Sequence, residues 1–454
     1  MKHVRRIGGA HVLIVTVTCL MSLLAPRDAG AQGAFYVEVP KDGRIYVFNV
    51  MKTYDEWQKT GEMGKSITRP GAGPNGETLV FDSEEAIHLY NFNHNLPGEV
   101  ITKPEEKKPT TNVSWKDGKT SFEWDNAGLN LSTTTQIRFT DDMPGDPNAT
   151  SIGSFRIRRV KTKFDGWIYR RYLTYDLQIN FADPNNSILD DADINYDVTR
   201  GRKEFQIKGG QFKVPFGRQE LTTDGYLQFV DRSIVSDEFE KSRDIGFQLW
   251  GQTPKGTIEW RGGAFNGAGR NKTVNDNGKY QYDARVTWQP LGDVRYSESD
   301  FESTTRPLIA LAAQFEKNDL HGTTAGDDID REVYSGDIVF KFKGVSIFAE
   351  YFHRVSEPEI AALFHTDAYS GQLGYFVYKR FVEVALRYAT IDPSDLTIIP
   401  GVPVSDDQKH ERGVALNWYM KKHFLKLQAD YRQIENDLTD ITDDQTRLQM
   451  QFIF

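Results

Sequence analysis

Nine residues hold the most suggestive chemistry in the chain. Phe155-Arg156-Ile157-Arg158-Arg159-Val160-Lys161-Thr162-Lys163 carries five cations. On a period-2 strand, Arg156 and Arg158 share one face; the phase then changes, as at a β-bulge, and Arg159, Lys161 and Lys163 join that face. A wall of guanidinium and ammonium groups lowers the barrier for anions, and guanidinium can bind phosphate oxygens in pairs. The plainer alternative is that these cations pair with carboxylates on neighbouring strands and simply hydrate a wall.

Further cations on polar strand faces are Arg138, Lys208, Arg261, Arg285, Lys341, Arg387, Lys426 and Arg432. The matching acids are Asp176, Asp244, Glu259, Asp283, Asp337, Glu350, Glu383 and Asp430. This surface is mixed with a basic lean, while the acidic excess sits in connections such as Asp327-Asp328-Ile329-Asp330. Arg218, Arg232 and Lys241 lie in the longest connection, Pro215 to Arg243. That segment is long enough either to fold inward and set a constriction or to remain outside as a lid.

Catalytic chemistry finds little footing. No nucleophile, base and orienting group stand together, and His321, His353, His365 and His410 fall in or beside connections. Gly64-Lys65-Ser66 lacks the first glycine of a phosphate-binding loop, since position 59 is Lys59. His88 and His94 have no acidic or cysteine partner at ligand spacing. The expectation is therefore no enzyme, no metal and no cofactor. A barrel enzyme or adhesin remains as a rival reading, and it needs a Ser–His pair at the rim or large structured loops.

The elements that must position these residues repeat from Leu129 onward. Leu173, Tyr175, Leu177, Ile179 and Phe181 alternate with Thr174, Asp176, Gln178 and Asn180, and Tyr282, Ala284, Val286 and Trp288 alternate with Asp283, Arg285 and Thr287. The chain ends the same way: Leu448, Met450, Phe452 and Phe454 share one face, Arg447, Gln449 and Gln451 the other. About sixteen such segments are predicted, from Leu129–Thr140 to Gln445–Phe454. Connections after odd-numbered segments are long and those after even-numbered ones short, such as Lys343-Gly344 and Lys379-Arg380. Pro290 to Pro307 and Ala182 to Ser187 break the pattern. A soluble sandwich has no reason to sort loops by parity; an outer-membrane barrel does, with long outer loops, short periplasmic turns and an apolar face turned to lipid. Trp167, Tyr169, Tyr351, Trp418 and Tyr419 suit interfacial aromatic girdles.

Composition agrees. Among 454 residues, 26% are charged, the formal net charge is −9 and mean hydropathy is −0.54. The acidic balance argues against nucleic acid as a partner. Lys2, Arg5 and Arg6 precede apolar Val12–Leu24 and Ala29-Gly30-Ala31, the pattern of a cleaved secretory signal over residues 1–31. Cys19, the one cysteine, lies inside it, so the exported chain has no disulfide framework. Residues 32–126 read as a small α+β periplasmic module: a hairpin around Lys41-Asp42-Gly43, a helix from Met51, a strand at Glu77–Phe81, a helix after Asp82-Ser83, and a linker at Pro104–Thr111. Residues 127–454 read as the barrel.

Four stretches resemble the phosphate- and polyphosphate-selective porin family, the phosphate-selective porin O and P group: Phe155 to Lys161, Gly210-Gln211-Phe212-Lys213-Val214-Pro215-Phe216-Gly217, Phe229-Val230-Asp231-Arg232-Ser233 and Arg243-Asp244-Ile245-Gly246. The resemblance covers roughly Leu129 to Phe454. It implies a sixteen-stranded outer-membrane barrel, a homotrimer, and an arginine ladder along the pore matched here by Arg156, Arg158 and Arg159. The expected function is passive diffusion of small hydrophilic solutes with a lean toward phosphate or other small anions; a non-selective general porin is the alternative. Expected pore-lining residues are Arg138, Arg156, Arg158, Arg159, Lys161, Lys208, Arg261, Arg285 and Arg387, with Arg218 and Arg232 on the constricting loop. Outer-membrane lipid and the barrel-assembly machinery, which reads the terminal Phe454, are the other expected partners.

Overall fold

A computed structural model describes residues 35–96, 112–183, 188–240, 242–275, 277–320, 328–359, 363–393 and 408–454. The expected secretory signal, the linker at 104–111, His321 and Lys241 lie outside the described residues. The chain divides into two compact units, residues 1–108 and 109–454.

The first unit contains β1 (Val37–Lys41), β2 (Arg44–Phe48), α1 (Met51–Thr60), β3 (Ile67–Arg69), β4 (Thr78–Phe81) and α2 (Glu84–Asn93). The sheet order is β1-β2-β4-β3, with β2 and β4 parallel. Asp42 and Gly43 take the positive φ values, 53° and 70°, of a two-residue hairpin turn. The Ser83 side chain caps α2 by accepting from the Ala86 N–H at 3.0 Å. Alternation along β2 and β4 sends Val47, Leu79 and Phe81 to the α2 side and Phe48 and Val80 to the α1 side, giving two small cores on opposite faces of the sheet.

The second unit opens with a hairpin, β5 (Asn112–Lys116) and β6 (Lys119–Trp124). Sixteen antiparallel strands follow: β7 (Ala127–Met143), β8 (Ile152–Ile168), β9 (Arg170–Asn180), β10 (Leu189–Asp197), β11 (Gln206–Lys213), β12 (Arg243–Gln252), β13 (Ile258–Phe265) and β14 (Gln281–Trp288), then β15 (Leu308–Leu320), β16 (Ile329–Phe342), β17 (Val345–Pro358), β18 (Phe364–Tyr378), β19 (Val382–Pro393), β20 (Lys409–Lys421), β21 (Leu425–Asn436) and β22 (Ile441–Ile453). β22 closes on β7, with Gln449 opposite Arg138 and Gln451 opposite Gln136. The result is a closed sixteen-strand barrel, as expected.

The pairing moves one boundary. β6 hydrogen-bonds to the first residues of β7, from Thr120 opposite Leu131 to Trp124 opposite Ala127. Residues 112–126, which the sequence reading leaves in the leading module with no strand assigned, therefore continue the barrel sheet, and the second unit begins at Pro109. Asp117-Gly118 repeats the turn chemistry of Asp42-Gly43, at φ 51° and 70°.

Burial is inverted relative to a soluble protein. Along β14, Gln281, Asp283, Arg285 and Thr287 are buried while Tyr282, Val286 and Trp288 are about half exposed. Arg447, Gln449 and Gln451 of β22 are buried, and Leu448 and Met450 face outward. Tyr419 departs from the girdle expectation: its neighbour Trp418 points outward, so alternation turns Tyr419 inward, where its hydroxyl donates to Glu383 at 2.7 Å. Strands run longer than about ten residues on one side, reaching 17 in β7 and β8. Their ladders extend into segments read as loops: β17 runs on to Pro358, β18 starts at Phe364, and Gln433–Asp444 shrinks to 437–440.

Candidate functional site

The connection between β11 and β12 folds into the barrel. It forms α3 (Arg218–Leu221), a short turn of 3₁₀ helix at Asp224–Tyr226, and α4 (Ile234–Phe239). Its apolar residues drive this: Val214, Phe216, Val235 and Phe239 pack on Phe212, Phe265, Val333, Phe352, Ala368, Ala389 and Ile391 of the inner wall. Phe229 fits beside Ala385 and Ala415, and a Cβ on Gly413 would lie 2.9 Å from its ring. Wall side chains satisfy the loop backbone: Gln314 accepts from Gly217 N–H at 3.0 Å, Asp430 from Val230 N–H at 2.9 Å and Glu411 from Ile234 N–H at 2.8 Å.

At the inward tip of this loop, Asp231 meets four guanidinium groups. Arg138 contacts both carboxylate oxygens at 2.5 and 3.0 Å, Arg447 approaches to 3.3 Å, Arg159 to 3.4 Å and Arg158 to 3.6 Å. The β7–β8 ladder explains how consecutive arginines reach one point. Gln136 pairs with Arg159 and Ile137 with Ile157, leaving Arg158 as the bulged residue. Arg156 pairs with Arg138 on the inner face and is exposed. Burial opposes the charge on Asp231, but Arg138 and Arg159 prevail and hold its carboxyl well below the usual range. Asp224 is the loop's second anchor, bound by Lys161 at 2.7 Å, Arg232 at 2.7 Å and Arg159 at 3.1 Å.

The inner face of β8 to β13 borders a cavity. This cavity, of about 210 Å³, is lined by Lys161, Lys163, Lys208, Arg243 and Arg261 and by Asp176, Asp191 and Asp193. Lys208 pairs with Asp193 at 3.1 Å, Arg243 with Asp191 at 2.9 Å, Arg261 with Glu259 at 3.0 Å, and Lys163 with Asp176. On the opposite side the loop rests on the long inner turn, residues 289–307. Glu298 of that turn accepts from Gln219 and from the Gln228 N–H, both at 2.7 Å, and Arg218 donates to the Val294 carbonyl at 2.9 Å.

Placement thus separates the predicted residues. Arg138, Arg158, Arg159, Lys161 and Arg232 converge on Asp231 and Asp224, while Lys208 and Arg261 line the cavity. Arg285 and Arg387 point inward but lie under the loop: Arg285 pairs with Asp337 at 2.7 Å, and Arg387 pairs with Glu411 at 3.1 Å beneath the Phe229 ring. Arg218, in α3 of the loop itself, is buried with its guanidinium on the Val294 carbonyl. Two participants were not predicted. Arg447 sits on the inward face of the last strand by simple alternation, and Arg243 is the first residue after the loop. Among the described residues, no group of three or more His, Cys, Asp or Glu side chains is arranged to hold a metal ion.

The family model described as phosphate-selective porin O and P matches residues 131–454. An uncharacterized protein of Aquifex aeolicus (strain VF5) is 22% identical over 419 residues, 81% of this chain and 97% of that one. Two solved structures share the fold. The outer membrane channel DcaP of Acinetobacter baumannii covers 72% of this chain and 98% of its own at 13% identity and TM-score 0.54. An anion-selective porin from Comamonas acidovorans covers 72% and 100% at 11% identity and TM-score 0.52. With a matching family model across nearly the whole closed barrel, an inward-folded loop and an inverted burial pattern, the chain belongs to the phosphate-selective porin O and P family of bacterial outer-membrane porins.

Proposed function

We propose that the barrel passes small hydrophilic solutes by passive diffusion and favours anions, phosphate among them. The observation that carries this reading is the arginine excess at the constriction. Arg138, Arg158, Arg159 and Arg447 share Asp231, with Asp430 also on Arg447 and Asp224 also on Arg159, and Arg156 stands exposed beside them on the same wall. A fixed cluster in which guanidinium groups outnumber their counter-charge lowers the electrostatic barrier to anions and raises it for cations. Zero-current potentials across a tenfold KCl gradient, measured in planar bilayers, test it: a sign set by chloride permeation supports the reading, and a cation-selective potential overturns it.

A second reading, a general pore without ion preference, draws on the lumen below the cluster. There Lys163, Lys208 and Arg243 each have a carboxylate partner. The same potentials separate the two, since a near-zero value favours the general pore.

The remaining assignments follow from the barrel. Its first and last strands meet at the short-turn rim, which supports a periplasmic position for the leading module. Phe454 pairs through its backbone with Thr133 at 2.6 and 3.0 Å and leaves its ring exposed, which suits a terminal signal read by the barrel-assembly machinery. A homotrimer is the assembly the family resemblance implies; cross-linking in intact outer membranes tests it.

A further inference from the structure

We propose that Glu240 and Glu350 share one proton at the joint between the constriction loop and β17, and that losing this proton releases the loop and widens the pore. Glu240 follows α4 in the loop; Glu350 projects inward from β17. Each carboxyl has one oxygen committed to the loop. Glu240 Oε2 accepts from the Glu220 N–H and the Ser236 hydroxyl, both at 2.5 Å, and Glu350 Oε1 accepts from the Arg218 N–H at 2.5 Å. The other two oxygens, Glu240 Oε1 and Glu350 Oε2, are buried with no N–H or hydroxyl partner among the described residues. The two carboxyls meet at adjacent residues of the loop: the Glu240 side chain packs against Gly217, and Glu350 holds the N–H of Arg218. Two buried carboxylate oxygens in that arrangement repel, whereas a single proton between them turns the repulsion into an O–H···O bond.

The nearby cations, Arg232 and Arg285, relieve the pair only in part because both are committed to other carboxylates. Within the loop, Glu220 adds a negative charge and is bound by Arg232 at 3.0 Å and Lys213 at 3.7 Å. Arg232 is divided between Glu220 and Asp224. On the wall, Asp337 of β16 takes Arg285 of β14 at 2.7 Å. Arg218 gives the pair only its backbone N–H, since its guanidinium reaches the Val294 carbonyl. Burial, followed by the facing Glu350, pushes the Glu240 carboxyl well above the ordinary range. A group raised in this way holds its contact at low pH and loses it as pH rises through its folded value. The joint is a tight one: Gly217, at φ 72°, has no room for a Cβ against the Glu240 side chain, so two charges there separate only if the loop comes away from β17.

The widening depends on the channel reading above; the proton-sharing contact does not. Two readouts on the full-length protein therefore run together between about pH 6 and pH 10. One is single-channel conductance in KCl; the other is hydrogen–deuterium exchange of residues 215–240, corrected for intrinsic rates. The expected result is a rise in both over one pH interval, at least about 1.5-fold in conductance. Glu350→Gln keeps the acceptor for Arg218 and places an amide N–H where the shared proton lies, so both profiles become flat. Glu240→Gln supplies the same donor from the loop side and serves if the first variant does not fold. A flat exchange profile in the wild-type protein, or a rise that survives in either glutamine variant, overturns the proposal. An exchange step without current at any pH supports the shared proton and overturns the channel reading.

Discussion

Arg138 of β7 grips both carboxylate oxygens of Asp231, at 2.5 and 3.0 Å, and also donates to Gln449 of β22 at 2.9 Å. One guanidinium thus joins the first strand, the last strand and the constriction loop. The closure of the barrel and the docking of the inward-folded loop depend on the same side chain.

Asp231→Asn keeps the shape of this joint and removes its charge. Arg138, Arg158, Arg159 and Arg447 then lose their common counter-ion, and the anion-to-cation permeability ratio rises by at least about threefold in dilute salt, where screening is weak. An unchanged ratio would show that ions do not pass this cluster.

The same carboxylate sets an acid limit. The Asp231 and Asp224 carboxyls are held well below the usual range, by Arg138 and Arg159 and by Arg159 and Lys161 respectively, against the opposing effect of burial. A depressed carboxyl stabilises the fold at every pH above its unfolded value of about 3.9 and loses that contribution as pH falls through its folded value. Conductance and loop exchange therefore stay constant from neutrality down to about pH 4.5, and the loop loosens only in stronger acid. Loosening at pH 5 would contradict this arrangement.

Arg285 and Arg158 should behave oppositely. Arg285→Ala strands the buried carboxylate of Asp337 and costs about 3–5 kcal/mol, lowering the temperature at which the barrel unfolds on gels while leaving ion preference alone. Arg158→Ala removes a partly exposed side chain from the cluster; it changes preference with a stability cost below about 1 kcal/mol. Equal effects from the two variants would refute the distinction between covered and lumen-facing arginines.

Phe229→Ala empties the pocket formed with Ala385 and Ala415. The loss of about 3–5 kcal/mol falls on loop docking, so single-channel conductance becomes larger and noisier while the barrel remains heat-resistant. Quiet currents of wild-type size would show that the loop is held without this ring.

All sixteen membrane strands were legible because each is an alternating segment with its own turn, and the inward phase change at Arg158-Arg159 could be read from the same pattern. Alternation states which face a residue is on; it does not state what covers that face. Arg285 and Arg387 share the inward phase of Lys208 and Arg261, yet the loop lies over the first two and leaves the others beside a cavity. The hint was in the loop itself: Phe216, Leu227, Phe229, Val235 and Phe239 are too apolar for an exposed connection. The landing of the loop on the inner turn through Glu298 joins residues about 70 positions apart, beyond what local pattern can specify. The hairpin at Asn112–Trp124 was missed for another reason, since its turn chemistry suits a small soluble module equally well.

The central claim is that the exposed edge of the arginine cluster biases ion passage. The most direct test is the zero-current potential across a tenfold KCl gradient for the wild-type protein and for the combined Arg156→Ala and Arg158→Ala variant. The account predicts anion preference in the wild-type protein and a shift toward zero in the variant at unchanged heat resistance; a cation-selective wild-type potential, or an anion preference that survives both substitutions, would contradict it.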